Sequence, residues 1–256
     1  MWLMSNLKSE LKKDKKKFSA ALNELLNKYS SKFKKSVTIK GEVSLGSEIY
    51  QDNESDFEFI KRICEKIGCL IFVSNGKCFI SPPSSINNGS KINIEYDSDN
   101  INYIKTSVDV LGIPKKVTVV GIDQKDYNKQ IKSQLQKSNS PVGKGKDINT
   151  LSNNITDNNE FIIIDNTVNS VNEAKTYADA IFELRSLKAL ETVIESKGYP
   201  EFLLGQKATL KKFGDPTDNN YIITEIEHKF THDEDGGQKY TTRIVLNSDK
   251  ATLQKK

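Results

Sequence analysis

Phe18, Leu22, Leu25, Leu26, Tyr29 and Phe33 recur every three or four residues, which predicts an amphipathic helix with one apolar stripe. A stripe of that kind needs a covering surface, so Leu22, Leu25, Leu26, Tyr29 and Phe33 form a candidate interface. Val37 and Ile39 begin an extended piece, Gly41 and Gly46 punctuate it, and Ile49 and Tyr50 lead onward. The next stretch, QDNESDFEFIKRICEKIG at 51–68, predicts a well-bounded helix. Ser55 and Glu58 have the spacing of a capping box, in which the serine oxygen accepts from an orphan amide and the glutamate reaches back to the cap. Asp56 stands where the helix dipole favours negative charge. Phe59, Ile60, Ile63, Cys64 and Ile67 supply the buried stripe, and Gly68 stands where a left-handed residue ends a helix. Two apolar runs, 69–73 and 78–80, flank Asn75-Gly76, a pair suited to a tight hairpin. Residues 55–81 therefore read as a helix packed on a hairpin.

Beyond the turn-rich 82–88, the period changes to two. Ile92 and Ile94, then 103–110 and 117–122, predict antiparallel strands, with Gly112 and Pro114 between the last two. Residues 124–160 are rich in Asn, Ser, Lys, Gln and Asp and predict a mobile polar insert, because so little apolar area cannot offset the entropy of ordering. Its PVGKGK lacks the spacing of a phosphate-binding loop. Phe161 to Ile164 resumes a strand. Ser170 and Glu173 make a second capping box before a helix with Ala174, Tyr177, Ala178 and Ile181 on one face. Alternation at Leu190, Thr192 and Ile194 gives another strand. Turns at 198–200, at Leu204-Gly205 and at 214–216 bracket a strand at 208–210, and 221–230 with 240–246 form a closing hairpin. The expected fold class is α+β: an antiparallel β-barrel or strongly bent sheet, a helix–hairpin module and lateral helices. The expected organisation is a basic arm at 1–17, the helix–hairpin module at 18–88, a barrel domain at 89–248 carrying the insert, and a tail at 249–256.

Composition narrows the chemistry. The net charge of +4 is unevenly spread. Eleven lysines face three carboxylates within residues 1–40, so the basicity is N-terminal. Only Arg62, Arg185 and Arg243 among 38 basic residues are arginine, a poor supply for reading bases, and no specific nucleic-acid partner is expected. No run approaches the roughly 18–20 apolar residues of a membrane span, and the N-terminus lacks a leader pattern; the expectation is an unexported soluble chain. Cys64, Cys69 and Cys78 lack paired metal-binding spacing and read as reduced fillers. His228 and His232, the only histidines, sit at i and i+4 on a strand-like stretch rather than a helix. Asp52, Glu54, Asp56 and Glu58 could supply paired carboxylates of the glycosidase kind, but two of them are already used by the helix cap. The expectation is no catalytic, cofactor or metal site.

The stretch IYQDNESDFEFIKRICEKIGCLIF resembles a signature of the phage late control D proteins and the related VgrG hubs of contractile injection systems, matched here by Gln51, Asn53, Glu54, Ser55, Asp56, Phe57 and Gly68. A second region is similar to the hub barrel: the helix from Ser170 and Glu173, the 198–200 turn, Gly205, the segment GDPTDNNYIITEIEH with Tyr221 and His228, and the strand at Tyr240. The resemblance implies a structural baseplate hub, assembled in the bacterial cytoplasm and then part of a virion or tail-like particle. It implies a trimer joining a tail tube protein to a spike protein. The family carries two similar barrels, and here the first is either absent from the chain or supplied by another. The competing expectations are a tail-associated peptidoglycan hydrolase and a Lys-arm binder of anionic surfaces.

Overall fold

The computed structural model describes residues 7–12, 18–38, 49–96, 101–109, 111–123, 125–126, 128–136, 142–147, 159–166, 168–199, 201–232 and 237–252. In chain order the elements are β1 (Leu7–Lys12), α1 (Phe18–Asn27), β2 (Lys34–Val37), β3 (Ile49–Ser55), α2 (Asp56–Lys66), β4 (Leu70–Ser74), β5 (Lys77–Ser81), β6 (Ile92–Glu95), β7 (Ile101–Val108) and β8 (Lys116–Ile122). There follow β9 (Gln130–Leu135), β10 (Lys146–Asp147), β11 (Glu160–Ile164), α3 (Val171–Ser186), β12 (Leu190–Lys197), β13 (Lys207–Lys211), β14 (Asn220–His232), β15 (Gln238–Ser248) and β16 (Lys250–Ala251). The fold class is α+β. The chain divides into two units, Met1–Ser85 with Pro114–Asn139 and Asn158–Leu184, and Ile86–Ile113 with Ser140–Asp157 and Arg185–Lys256.

In the first unit the α1 stripe is filled from within. Leu22, Leu25 and Leu26 are buried against Phe59, Ile60 and Ile63 of α2 and Cys78 and Ile80 of β5, and Tyr29 and Phe33 pack on the same core. Each such aliphatic side chain withdrawn from water contributes about 1.5–3 kcal/mol. These five positions are therefore core rather than an interface: the helix–hairpin module supplies the surface their spacing demands. The hairpin β4–β5 turns at Asn75 and Gly76, with φ of +49° and +67°, the left-handed pair a two-residue turn requires. β2 lies parallel to β5 on its other side.

A second layer of this unit is the sheet β11-β8-β9. Val117, Val119 and Ile131 form one face, covered by Ala174, Ala178 and Phe182 of α3. Lys66, at the end of α2, reaches Asp165 at 2.6 Å and lies over the Tyr177 ring. Two expectations are corrected here. Gln130–Leu135 is a strand antiparallel to β8, because Ile131 is buried in the α3-covered core and the ladder satisfies the polar backbone around it. Strand pairing is also not wholly antiparallel, since β11 runs parallel to β8, β2 to β5 and β6 to β13. Residues 124, 127, 137–141 and 148–158 of the expected insert lie outside the described residues.

The second unit is built on one six-stranded sheet of order β6-β13-β14-β15-β12-β7. Its two edge strands are consecutive in the chain, with five residues between Glu95 and Ile101. At about 3.3–3.6 Å per residue a link of that length can reach about 20 Å at most, and the sheet curls into a half-barrel. Leu190, Ile194, Ala208, Leu210, Tyr221, Ile223, Ile244 and Leu246 fill its concave side. Hydroxyls close a ring inside it. Thr106 Oγ1 lies 3.0 Å from Thr192 Oγ1 and 2.9 Å from Thr217 Oγ1, Thr192 donates to Tyr221 Oη at 3.2 Å, and Tyr221 donates to the Thr217 carbonyl at 2.9 Å. Such a network is favourable because every polar atom it buries has a partner.

The polar segment 142–147 docks onto the end of this unit. Asp249, 5% exposed, accepts from the Val142 and Gly143 amides at 2.9 and 2.8 Å. Asn219 accepts from Lys144 N and donates to the Lys144 and Lys250 carbonyls, and β10 pairs with β16. Among the described residues no helix is long and apolar enough to cross a membrane.

Candidate functional site

The motif at 51–58 lies where β3 passes into α2. Asn53 has φ of +46°, at an irregularity in the β1–β3 ladder, a left-handed conformation that asparagine tolerates better than most residues. Ser55 caps α2: Glu58 N donates to Ser55 Oγ at 3.2 Å, while Glu58 Oε2 accepts from Ser55 N at 2.8 Å and Ser55 Oγ at 2.7 Å. These bonds, the Ser55 amide foremost, hold the Glu58 carboxyl below its usual range. Glu54 pairs with Arg62, whose guanidinium lies 5.2 Å from the Phe59 ring centroid. Phe57 packs partly buried on the core.

Asp56 is fully buried. Its Oδ1 accepts from Gln51 Nε2 at 2.9 Å and its Oδ2 from Tyr29 Oη at 2.6 Å, and the first turn of α2 adds the positive end of the helix dipole. Gln51 also donates to the Glu54 carbonyl at 3.0 Å, which locks the bend of the chain. Burial, and after it the Asp56 carboxylate, pushes the Tyr29 phenol well above its ordinary range. Three acidic residues of the motif are thus used in building: Asp56 is buried, Glu58 caps and Glu54 pairs with Arg62; the Asp52 side chain lies outside the described residues. At the other end of α2 the Gly68 amide donates to the Glu65 carbonyl and the Cys69 amide to Cys64, the paired closing bonds of a Schellman end. Gly68 has φ of +64° and abuts the Ala180 backbone so closely that a Cβ would overlap it.

Of the second set of motif residues, Ser170 and Glu173 belong to the same unit as the first set, and Gly205, Tyr221 and His228 to the other. Glu173 N donates to Ser170 Oγ at 3.2 Å, and the Glu173 carboxylate accepts from Asn169 N at 3.0 Å. The Gly205 amide donates to the Ile223 carbonyl at 2.8 Å. Tyr221 belongs to the hydroxyl ring. His228 Nδ1 lies 2.9 Å from Tyr240 Oη and 3.1 Å from Thr242 Oγ1, and the Tyr240 ring stacks on exposed Phe230 at 4.3 Å. His232 lies four positions further along the same strand, about 13 Å away at the rise of an extended chain. Among the described residues no three His, Cys, Asp or Glu side chains gather as metal ligands. The three cysteines are free and buried; burial pushes the Cys78 thiol up to about 11 and raises Cys64 as well, with Cys69 and Cys78 adding to it.

A helix–hairpin module, a helix-covered three-stranded sheet and a curled six-stranded sheet define the fold that comparison with known proteins then places. The chain belongs to the family described as the Alg8 N-terminal domain, whose model matches residues 5–232. No curated protein matches it. Among solved structures, the tail protein from Neisseria meningitidis MC58 is similar with a TM-score of 0.62 at 12% identity, over 96% of this chain and 70% of that one. The 43 kDa tail protein of prophage MuSo2 from Shewanella oneidensis gives 0.59 at 14% identity, over 95% and 69%. A chain from the virion of the native gene transfer agent particle gives 0.54 at 8% identity, over 91% and 46%. The chain has the fold of phage tail proteins.

Proposed function

We propose that this chain is a structural, non-enzymatic component of a phage tail or tail-like particle, placed at the baseplate hub where a tail tube meets a spike. The observation that carries the reading is the fold shared over 96% and 95% of the chain with two tail proteins. The motif supports it, because Asp56, Glu58 and Glu54 are each engaged in building the β3–α2 junction. The curled sheet supports a hub barrel. β6 and β7 run in the same direction and read as two halves of one bent strand, the lower paired with β13 and the upper with β12, a device by which sheets close. The hub closes as a homotrimer, and its neighbours are the tube and spike proteins of the same particle.

Cross-linking and mass spectrometry on purified particles test this reading. The expected result is adducts between this chain and both tube and spike proteins, with a trimer band. Intact particles that lack the chain, or wall lysis by the purified chain, would overturn it.

A further inference from the structure

We infer that the outer side of β2 on one copy pairs with the outer side of β14 on the next copy, head to tail, setting Lys34 against Glu225 and Glu227. The inference rests on the homotrimer proposed above and names the surfaces that make it. Both strands present an open side: among the described residues β2 pairs only with β5, and β14 beyond Ile223 pairs only with β15.

The two sides carry opposite charge. On β2 and β5, Lys34 stands directly beside Lys77 in the ladder, an unfavourable like-charge neighbour, with exposed Lys32 and Lys35 close by in sequence. On the half-barrel, Glu227 and Glu195 stand either side of Arg243 in the ladder, two acidic positions to one basic, and exposed Glu225 adds a third.

The faces also agree. Val37 packs on the core of its unit, which puts Lys35 on the core side and Lys34 with Ser36 on the other, by alternation along a strand. Ile226 packs on the half-barrel core, which puts Glu225 and Glu227 on its outer side. A sheet continued from β14 to β2 thus places Lys34 on the same face as the two glutamates. Pairing like with like opposes lysines or glutamates, whereas the unlike pairing satisfies both. An unlike contact is heterologous and, where its rotation closes, generates rings rather than two-fold dimers. Edge lysines ordinarily discourage pairing; here the acidic side of β14 offers them a complement.

Sedimentation of the full chain over a concentration series tests the pairing. Lys34→Glu alone, or Glu225→Lys with Glu227→Lys, should each weaken association about tenfold, and the three together should restore it. A second measurement mixes a Lys34→Cys chain with a Glu227→Cys chain. A disulfide between the two variants, and none within either alone, is expected. Reversals that leave association as strong as wild type, homodisulfides only, or a chain monomeric up to about 1 mM would overturn the edge pairing. If the chain is nonetheless present in particles, the tail reading stands without it; absence from particles defeats that reading separately.

Discussion

Tyr29 donates its phenol to Asp56 at 2.6 Å, binding the end of the α1 region to the first residue of α2. A hydrogen bond to a buried charge contributes about 1.5–3 kcal/mol. Tyr29→Phe should therefore lower unfolding stability by about 2 kcal/mol in urea titration at pH 7, although the ring and its apolar contacts remain. A loss below about 0.5 kcal/mol would mean that Asp56 is held without help from the Tyr29 hydroxyl.

The capping box gives a second expectation, with a pH signature. Ser55→Ala should cost about 1 kcal/mol. The folded-state pKa of Glu58 is lowered, so its stabilisation is present above the unfolded value and lost as pH falls through the folded one. Thermal melts should fall for wild type as pH drops below 4.5, and Glu58→Gln should flatten that part of the profile. Identical profiles for the two chains would remove the carboxylate from the cap.

Asp249 works with the opposite sign. Burial raises its pKa above 3.8, while the Gly143 and Val142 amides partly counter the shift. A raised folded value gives stability that is full below the unfolded pKa and lost as pH rises through the folded one. Asp249→Asn keeps an acceptor for the two amides without the desolvated charge, and should melt no lower than wild type at pH 7. Asp249→Ala leaves both amides without their acceptor, and hydrogen exchange at residues 142–147 should accelerate. A lower melting point for the Asn variant at pH 7 would show that the charge itself is needed.

Two glycines with similar backbone angles should respond differently to alanine. Gly76 has φ of +67° with nothing near its Cβ position, whereas Gly68, at +64°, meets the Ala180 backbone. Gly76→Ala should cost about 1 kcal/mol of conformational strain. Gly68→Ala adds a backbone overlap and should exceed it by at least about 2 kcal/mol. Equal melting temperatures would mean that α3 yields without cost.

What could be read from the chain before its structure follows the range of the interactions. Helix α2 was legible because Ser55, Glu58 and Gly68 act within a few residues of their partners, and the β4–β5 turn because Asn75-Gly76 carries its own geometry. The burial of Asp56 was not legible. An acidic residue at a helix start suggests solvent, and the spacing of Tyr29 reveals its ring but not where its hydroxyl ends. The strand at Gln130–Leu135 escaped notice because one buried isoleucine amid Gln, Lys and Ser shows no period. The order of 142–147 depends on Asp249 and Asn219, distant in sequence, so its glycines and lysines read as an unstructured stretch. Parallel pairings such as β11 with β8 leave no local trace, because alternation records which face is buried and not which neighbour is beside it.

The short link from β6 to β7 makes the bend of the six-stranded sheet a matter of connectivity as well as packing. A sheet held only by its core can relax its curvature when side chains change; one whose first and last strands are neighbours along the chain is hooped, and its width is capped by five residues. Mutations in the concave core of this unit can loosen the filling, while the link still limits how far the two edges separate. Moving the chain termini to the segment between Glu95 and Ile101 would cut the hoop, leaving the curvature to the core and the hydroxyl ring alone.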